Sequence, residues 1–551
     1  MSNFDFSRRN LSGKEAKLER LFGILPGLTS WTILISLSLL SFLKPLLAAA
    51  LMIAIYFYWL LRLVYMTVFL LLSYFRLSIE QGIDWMERIG EIEQLPAIAA
   101  HLNQDAALFG NKKKISNWLH LEKINTLQKS GSIPPASKDI YHLVIVAVAK
   151  EDQEVVEPGI ESLARQSFST KRIKVIIALE DAADKKVKQG IFNIQTKYQR
   201  HFMDFTVAIH PQGLPGEARV KGANITYAAK SAARYFEEKE IPFECVVVSC
   251  FDADTVVSPD YFACLTYHFM VYPDRNRASF QPIPVYHNNI WEVPAFSRVL
   301  DIGSSFFQLI EATNHDQLVT FSSHSMSFKA LVEVGYWPVD MISDDSAIFW
   351  KSLIHFDSKY RVIPLYVTIS MDVVSGNHWW DTIVNVYRQK RRWAWGIENF
   401  PIVMRGFISN SKISFYDKIR YGFKMFEEHV AWATWAFLLS IIGWLPALFA
   451  NREFSDTVLY YSAPRITSII FNLASLALII TMVLSFYLLP KPKGKNSFLK
   501  RIGLAFEWLL IPLIVVFLSA LPALDAQTRL MFGRYMEFWV TEKQRKHENK
   551  S

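Results

Sequence analysis

The stretch 246-VVVSCFDADTVVSPDYF-262 runs apolar and then stops on Asp252 and Asp254. A short continuous apolar run is the mark of a strand buried on both faces, as in a parallel sheet. Residues i and i+2 of a strand point the same way, which places the two carboxylates to face one ligand or one cation. Two more such runs, 141-YHLVIVAVA-149 and 173-IKVIIALED-181, come earlier in the chain. A helical stretch around 154–166 separates them, and the helix-like 224-NITYAAKSAARYFEEKE-240 leads into the quoted run. Strand, helix, strand begins an α/β layer with a parallel sheet. Ligands of such sheets bind at the carboxyl ends of the strands. Glu151, Glu180, Asp181, Asp252 and Asp254 all fall at or just past those ends.

The rest of the chain is greasier than a soluble protein allows. Of 551 residues, 51% are hydrophobic and only 20% charged. Apolar runs at about 22–42 and 46–75, meeting at Lys44 and Pro45, are each long enough to cross a bilayer. Basic residues on both flanks put both ends of this hairpin inside. Further runs lie at 430–450, 466–490 and 503–523, and the loop 491-KPKGKNSFLKR-501 is strongly basic, hence cytoplasmic. The last run contains Glu507, Pro512 and Pro522, which predicts a kink or a re-entrant segment, and four or five crossings in all. The net charge of +8 is accounted for by flanks held on anionic lipid, and no nucleic-acid partner is expected. Cys245, Cys250 and Cys264 form no CxxC pair, so neither a zinc site nor a disulfide scaffold is predicted.

Four stretches carry residues suited to chemistry. Two carboxylates ending a strand, Asp252-Ala253-Asp254, suit a hard divalent cation, Mg²⁺ or Mn²⁺, although many surface turns carry such a pair. In 342-ISDDSAIFW-350 two adjacent acids either complement a helix N-terminus or supply a general base. In 389-QKRRWAWG-396 arginine forks match phosphate oxygens and a Trp face can cover a sugar ring, while the plainer reading is an interfacial helix. Alone, 538-FWVTEK-543 is an amphipathic tail.

In this order, and flanked by membrane segments, these stretches resemble the D, D, D, QxxRW pattern of family 2 glycosyltransferases. Among them the chain is most similar to membrane-embedded processive synthases such as cellulose and hyaluronan synthases, and 538–543 fits the FxVTxK gating-loop motif of the former. The resemblance implies an α/β GT-A type domain, a Rossmann-like mixed sheet, inserted between α-helical transmembrane segments. The expected layout is a cytoplasmic N-terminal tail (1–21), a transmembrane hairpin (22–75), amphipathic helices and a linker (76–139), the GT-A domain (140–400), interfacial helices (401–428), transmembrane segments (429–523) and a gating-loop-like tail (524–551).

It also implies roles. Asp345 takes the place of the catalytic base with Asp344 beside it, where the family's Thr-Glu-Asp is Ser343-Asp344-Asp345. Glu151 stands in the first strand's Asn-Glu, here Lys150-Glu151. Asp181 and Glu180 would hold the nucleobase or ribose, and Asp252 the nucleotide. Asp254 would hold the metal, Mg²⁺ or Mn²⁺. Lys221 or Arg219 would face phosphate, with Gln389 and Arg392 on the diphosphate, and Thr541 and Lys543 would close over the nucleotide. Trp393 would floor the acceptor pocket, with Trp337, His324 and the tract 280-FQPIPVYHNNIW-291 as further lining. The expected activity is inverting, metal-dependent transfer from a nucleoside diphosphate sugar, UDP first, to a growing polysaccharide at the cytoplasmic face of the cell membrane, with export through the membrane region. Four or five crossings are few for a pore, so a second copy or an accessory export subunit is a further expected partner. A non-processive transferase adding one sugar to a lipid-linked acceptor needs no channel and stands as the alternative. A membrane scaffold or transporter with a degenerate domain predicts lost carboxylates, and the carboxylates are present; Glu507 was its main candidate for a pore-lining charge.

Overall fold

A computed structural model describes residues 4–9, 11–94, 111–449, 456–490, 503 and 506–536. Eight strands form one mixed sheet: β1 (Tyr141–Val148), β2 (Ile173–Glu180), β3 (Asp204–His210), β4 (Val246–Asp252), β5 (Val256–Val257), β6 (Ala278–Val285), β7 (Ser325–Ser327) and β8 (Arg361–Ser370). Their order across the sheet is β3-β2-β1-β4-β7-β6-β8-β5. The first four run parallel. Short β7 then lies antiparallel between β4 and β6, and β6 pairs parallel with β8.

The expected parallel strands are present because their side chains have nowhere wet to go. Val246, Val247, Val248 and Cys250 of β4 are fully buried, and each such valine contributes roughly 1.5–3 kcal/mol by leaving water. The helix Lys221–Glu238 covers one face with Ala223, Ala228, Ala229 and Ala232, small enough for close approach to the sheet. Buried Cys250 and Cys264 are free thiols. Two features depart from the sequence reading. Strand β3 was not foreseen, since DFTVAIH sits at the sheet edge and only Phe205 and His210 are buried. The tract 280–291, expected to line the acceptor pocket, begins in strand β6, which is buried along its whole length.

Among the described residues, the membrane-type helices are Gly13–Leu43 and Pro45–Glu80 before the sheet in sequence, and Val458–Leu488 and the segment Trp508–Met531 after it. By length and composition these are four helices able to cross a membrane, or five if the bent pair Phe415–Ser440 and Ile442–Leu448 is one span. Proline at Lys44-Pro45 starts the second helix, where a missing N–H costs nothing. Residues 13–21, read as tail, are the first turns of a helix, and the expected boundary at 428 falls inside the continuous helix Phe415–Ser440.

The segment Trp508–Met531 is broken as its prolines require. A 3₁₀ turn (Trp508–Leu510) and a short helix (Ile511–Val515) meet a π turn (Val516–Ala520) before the helix Leu521–Met531. Both its ends are tied to the catalytic domain. Glu507 pairs with Arg298 at one, and Asp525 accepts from Arg391 at 2.8 Å near the other. Glu507 is therefore paired with an arginine of the helix Ala295–Thr313.

Candidate active site

Two cavities open at the carboxyl ends of the parallel strands. The smaller, about 350 Å³, is walled by the end of β1 (Ala147–Glu151), Glu180, Ala182–Asp184, Arg219 and Asn224. The larger, about 1040 Å³, holds Asp254, Asp345, Gln389 and Trp393, and continues between Trp59, Arg62, Trp432, Trp435 and Phe471 of the apolar helices. Lys221, Asp252 and Arg392 line both, so the two cavities meet at these three side chains.

Lys221 is at the first turn of its helix and reaches into a ring of acids. Its ammonium lies 2.8 Å from Asp252, 3.0 Å from Asp345 and 4.0 Å from Asp344. Burial alone would lower its pKa; Asp252 and Asp345 outweigh that and hold it well above the ordinary lysine value. The helix can come this close because residue 222 is glycine: a Cβ there would lie 2.2 Å from the Pro338 carbonyl oxygen and 3.2 Å from the Asp344 Cβ.

The two acids of the 342–350 stretch part company. Both lie in the first turn of the helix Asp344–His355. Asp345 is partly exposed in the large cavity, whereas Asp344 is buried. Burial, then the neighbouring Asp345, push the Asp344 carboxyl well above the usual range. Ser343 occupies the N-cap position, but its hydroxyl donates to Glu398 at 2.8 Å instead of accepting from the helix.

Gln389, Arg392 and Trp393 share a face of the helix Trp379–Ala394, as spacings of three and four require. Trp393 meets Phe321 edge-on at 5.7 Å and lies 6.3 Å from Tyr286. The neighbouring cations are spoken for: Lys390 pairs with buried Asp301 at 2.8 Å and Arg391 with Asp525.

Asp252 and Asp254 stand apart in burial. Asp252 accepts from Ser322 as well as Lys221, and Asp254 Oδ2 accepts from the Asp372 amide at 2.8 Å. Asn288, on the loop after β6, donates to the Asp254 carbonyl at 2.9 Å and to Asp372 at 2.8 Å. Asp372 was missed by sequence reading, whereas Asn288 lies in the tract 280–291 expected to line the acceptor pocket. The only signal of Asp372 was polarity in otherwise apolar surroundings, and the two meet Asp254 only through the sheet. Among the described residues, five that line the large cavity carry a buried polar atom with no hydrogen-bond partner in the protein: Tyr286 Oη, Asp344 Oδ2, Gln389 Oε1, Asn399 Oδ1 and Trp508 Nε1. Buried groups are normally paired, so these are places for a ligand to bind. Among the described residues, no group of three or more His, Cys, Asp or Glu is placed to hold a metal alone. Two carboxylates beside a cavity with spare acceptors still fit Mg²⁺ or Mn²⁺, which commonly take one or two carboxylates and complete their shell from substrate phosphates.

Other expected residues fall as follows. Glu151 lines the small cavity with its carboxylate accepting from the Ala149 and Lys150 amides at 2.8 and 3.0 Å. Glu180 lines it too, but Asp181 does not: it is exposed and paired with Lys188 at 3.1 Å. Lys221 lines both cavities and Arg219 only the small one. Trp337 is 1% exposed in the core and, like buried His324, lines neither cavity. Thr541 and Lys543 lie outside the described residues. Tyr535, just before them, meets Trp395 at 6.2 Å, so the chain enters that tail beside the Gln389–Trp393 helix.

Residues 247–521, about half the chain, match the family model described as glycosyl transferase family group 2. The chain belongs to this family, and its mixed sheet is of the GT-A type. It is 24% identical over 318 residues to a poly-beta-1,6-N-acetyl-D-glucosamine synthase of Staphylococcus epidermidis, a match covering 56% of this chain and 66% of that protein. The same-named protein of Staphylococcus aureus (strain COL) is 23% identical over 282 residues, 50% of this chain and 58% of that one. The chain thus spans two thirds or less of the length of these relatives. Solved structures with similarity include a mannosyltransferase from Pyrobaculum calidifontis in complex with GDP-Man and Mn²⁺ (12% identity, 80% of this chain and 99% of that one, TM-score 0.40) and residues 1–349 of Staphylococcus aureus TarS in complex with UDP-GlcNAc (13% identity, 63% and 91%, TM-score 0.30).

Proposed function

We propose that the protein transfers sugar units from a nucleoside diphosphate sugar, UDP being the expected nucleotide, to the end of a growing polysaccharide, with inversion at the anomeric carbon. One observation carries this reading: a nucleotide-sized cavity and a long cavity running among apolar helices meet at Lys221, Asp252 and Arg392. A donor in the first would present its diphosphate to the cations and its sugar to the second.

The residues then divide the work. Glu151 and Glu180 border the nucleoside. Lys221, Arg392 and Gln389 bind the diphosphate. Asp345 takes the proton of the acceptor hydroxyl, whose oxygen attacks the anomeric carbon as the bond to the diphosphate oxygen breaks and its electron pair leaves with the nucleotide. Lys221 links donor to base: a diphosphate competes for the ammonium now shared by Asp252 and Asp345, which leaves Asp345 available to the hydroxyl. Asp254 and Asp252 would hold a divalent cation, which when bound supplies Lewis-acid stabilisation of the leaving diphosphate. Trp393 offers its face to the acceptor sugar. The same enzyme reading makes the chain a multi-pass protein of the cell membrane with its catalytic domain cytoplasmic. Since both ends of Trp508–Met531 are tied to that domain, we count two crossings after it, at 415–448 and 458–488, and place the tail with Thr541 and Lys543 on the catalytic side.

Purified protein in lipid nanodiscs, given a panel of UDP-sugars with Mg²⁺ or Mn²⁺, tests this. Nucleotide release with long retained polymer is expected. A single lipid-linked sugar would replace the polymerase reading with single transfer, and no release from UDP- or GDP-sugars would overturn both.

A further inference from the structure

Residues 4–9 lie against the catalytic domain, and the side chains of Ser7, Arg8 and Arg9 reach the loops that lead into Ser343 and Lys221 and the carboxylate of Glu398. Phe6 is buried in the core shared by the sheet and the apolar helices. Arg405 donates to the Ser7 carbonyl at 2.6 Å. Ser7 donates to Asp340 at 3.1 Å, on the loop that runs into Ser343. Arg9 donates to the Gly216 carbonyl at 3.2 Å, on the loop that runs into Lys221. Arg8 pairs with Glu398 at 2.9 Å and its guanidinium lies 4.2 Å from the centre of the Tyr535 ring.

Glu398 is the hub. It is 2% exposed, and its Oε1 accepts from the amides of Ile342 and Ser343 at 2.9 and 3.0 Å and from the Ser343 hydroxyl at 2.8 Å. Its Oε2 accepts from Trp395 at 2.9 Å, just past the helix that carries Arg392. One buried carboxylate thus ties the backbone that presents Asp345 to the end of the helix that presents Arg392, and Arg8 is its only ion-pair partner among the described residues. A buried carboxylate with its partner removed either takes a proton or draws in water, and both disturb the amides it holds.

We propose that residues 4–9 form a strap that keeps Asp345 in register with Lys221 and Arg392, with Arg8 its positioning residue. The effect on turnover rests on the sugar-transfer reading; the effect on the 338–346 backbone does not. The full-length protein and its Arg8→Ala variant, both in nanodiscs, are compared by hydrogen exchange and by nucleotide release. The amides of Ile342 and Ser343 should exchange at least tenfold faster in the variant, with β1, β2 and β4 unchanged. The kcat should fall at least tenfold with donor KM within twofold, and Arg8→Lys should recover part of it. Unchanged exchange at 342–343 would overturn the strap. Faster exchange with wild-type kcat would overturn the positioning role. If Arg8→Ala loosens the sheet as well, Arg8→Gln carries the same comparison. A wild-type protein without turnover would overturn the sugar-transfer reading, and the exchange result would still decide the strap.

Discussion

At the scale of single residues, the two neighbouring acids divide their roles by burial. Both line the large cavity, but Asp345 is partly exposed beside Lys221 and Asp344 is buried. Replacing Asp345 by Asn should lower turnover by roughly 10²–10⁴ while UDP affinity stays within a few fold, measured by nucleotide release and calorimetry. Asp344 should show itself through stability. Its folded-state pKa is raised by burial and by Asp345, so the folded protein holds its proton more tightly than the unfolded chain. Its contribution to stability is full below the ordinary aspartate pKa and is lost as pH rises toward the folded value. Asp344→Asn should therefore match wild type near pH 4 and become relatively more stable as pH rises, in thermal melts across that range. A constant difference at all pH values would contradict the assignment. Asp252 and Asp254 were legible at the end of an apolar run, and Asp345, Gln389 and Arg392 through the resemblance of their stretches to the D, D, D, QxxRW pattern. Asp181 misled, since two adjacent acids at a strand end point to opposite sides and sequence does not say which faces in. Trp337 misled because an aromatic suited to a sugar is equally suited to a core.

At the scale of elements, the site depends on how closely the helix Lys221–Glu238 can approach the loop before Ser343. Gly222 sets that distance. Gly222→Ala must push the Pro338 backbone away, at a cost of about 1–3 kcal/mol in stability. It should also widen the gap from Lys221 to Asp345, so the variant should lose turnover even at temperatures where it stays folded. Normal kcat in a folded variant would show that the spacing is not critical. The parallel strands β1, β2 and β4 could be read from their apolar runs, but β3 could not, because a half-exposed edge strand carries little pattern. The links from Asn288 to Asp254 and from Arg8 to Glu398 join residues far apart in sequence, so no local pattern announces them.

At the scale of the whole molecule, the catalytic domain and the apolar helices share one cavity. Trp435, on the apolar helix Phe415–Ser440, borders it, and Tyr58 stacks on its ring at 5.8 Å. Trp435→Ala should shorten the polymer by removing a stacking surface along its path, while initial nucleotide release stays near normal; unchanged product length on a sizing gel would exclude this path. Sidedness is equally open to test. A cysteine at exposed Ile133 and a tag fused after residue 551 should react from the same face of sealed vesicles. The hairpin 13–80 was plain in the sequence from its apolar length. The break in 508–531 was legible from its prolines, but the side on which it ends was not, because hydropathy does not distinguish a crossing helix from one returning to its own domain.

The central claim is that donor and acceptor meet at Lys221, Asp252 and Arg392. The most direct measurement is a cryo-electron microscopy structure of the Asp345→Asn variant with UDP and Mn²⁺. The account predicts the uridine in the smaller cavity beside Glu151 and Glu180, with the diphosphate between Lys221 and Arg392 and its end toward residue 345. Nucleotide density elsewhere, or a diphosphate pointing away from the larger cavity, would contradict it.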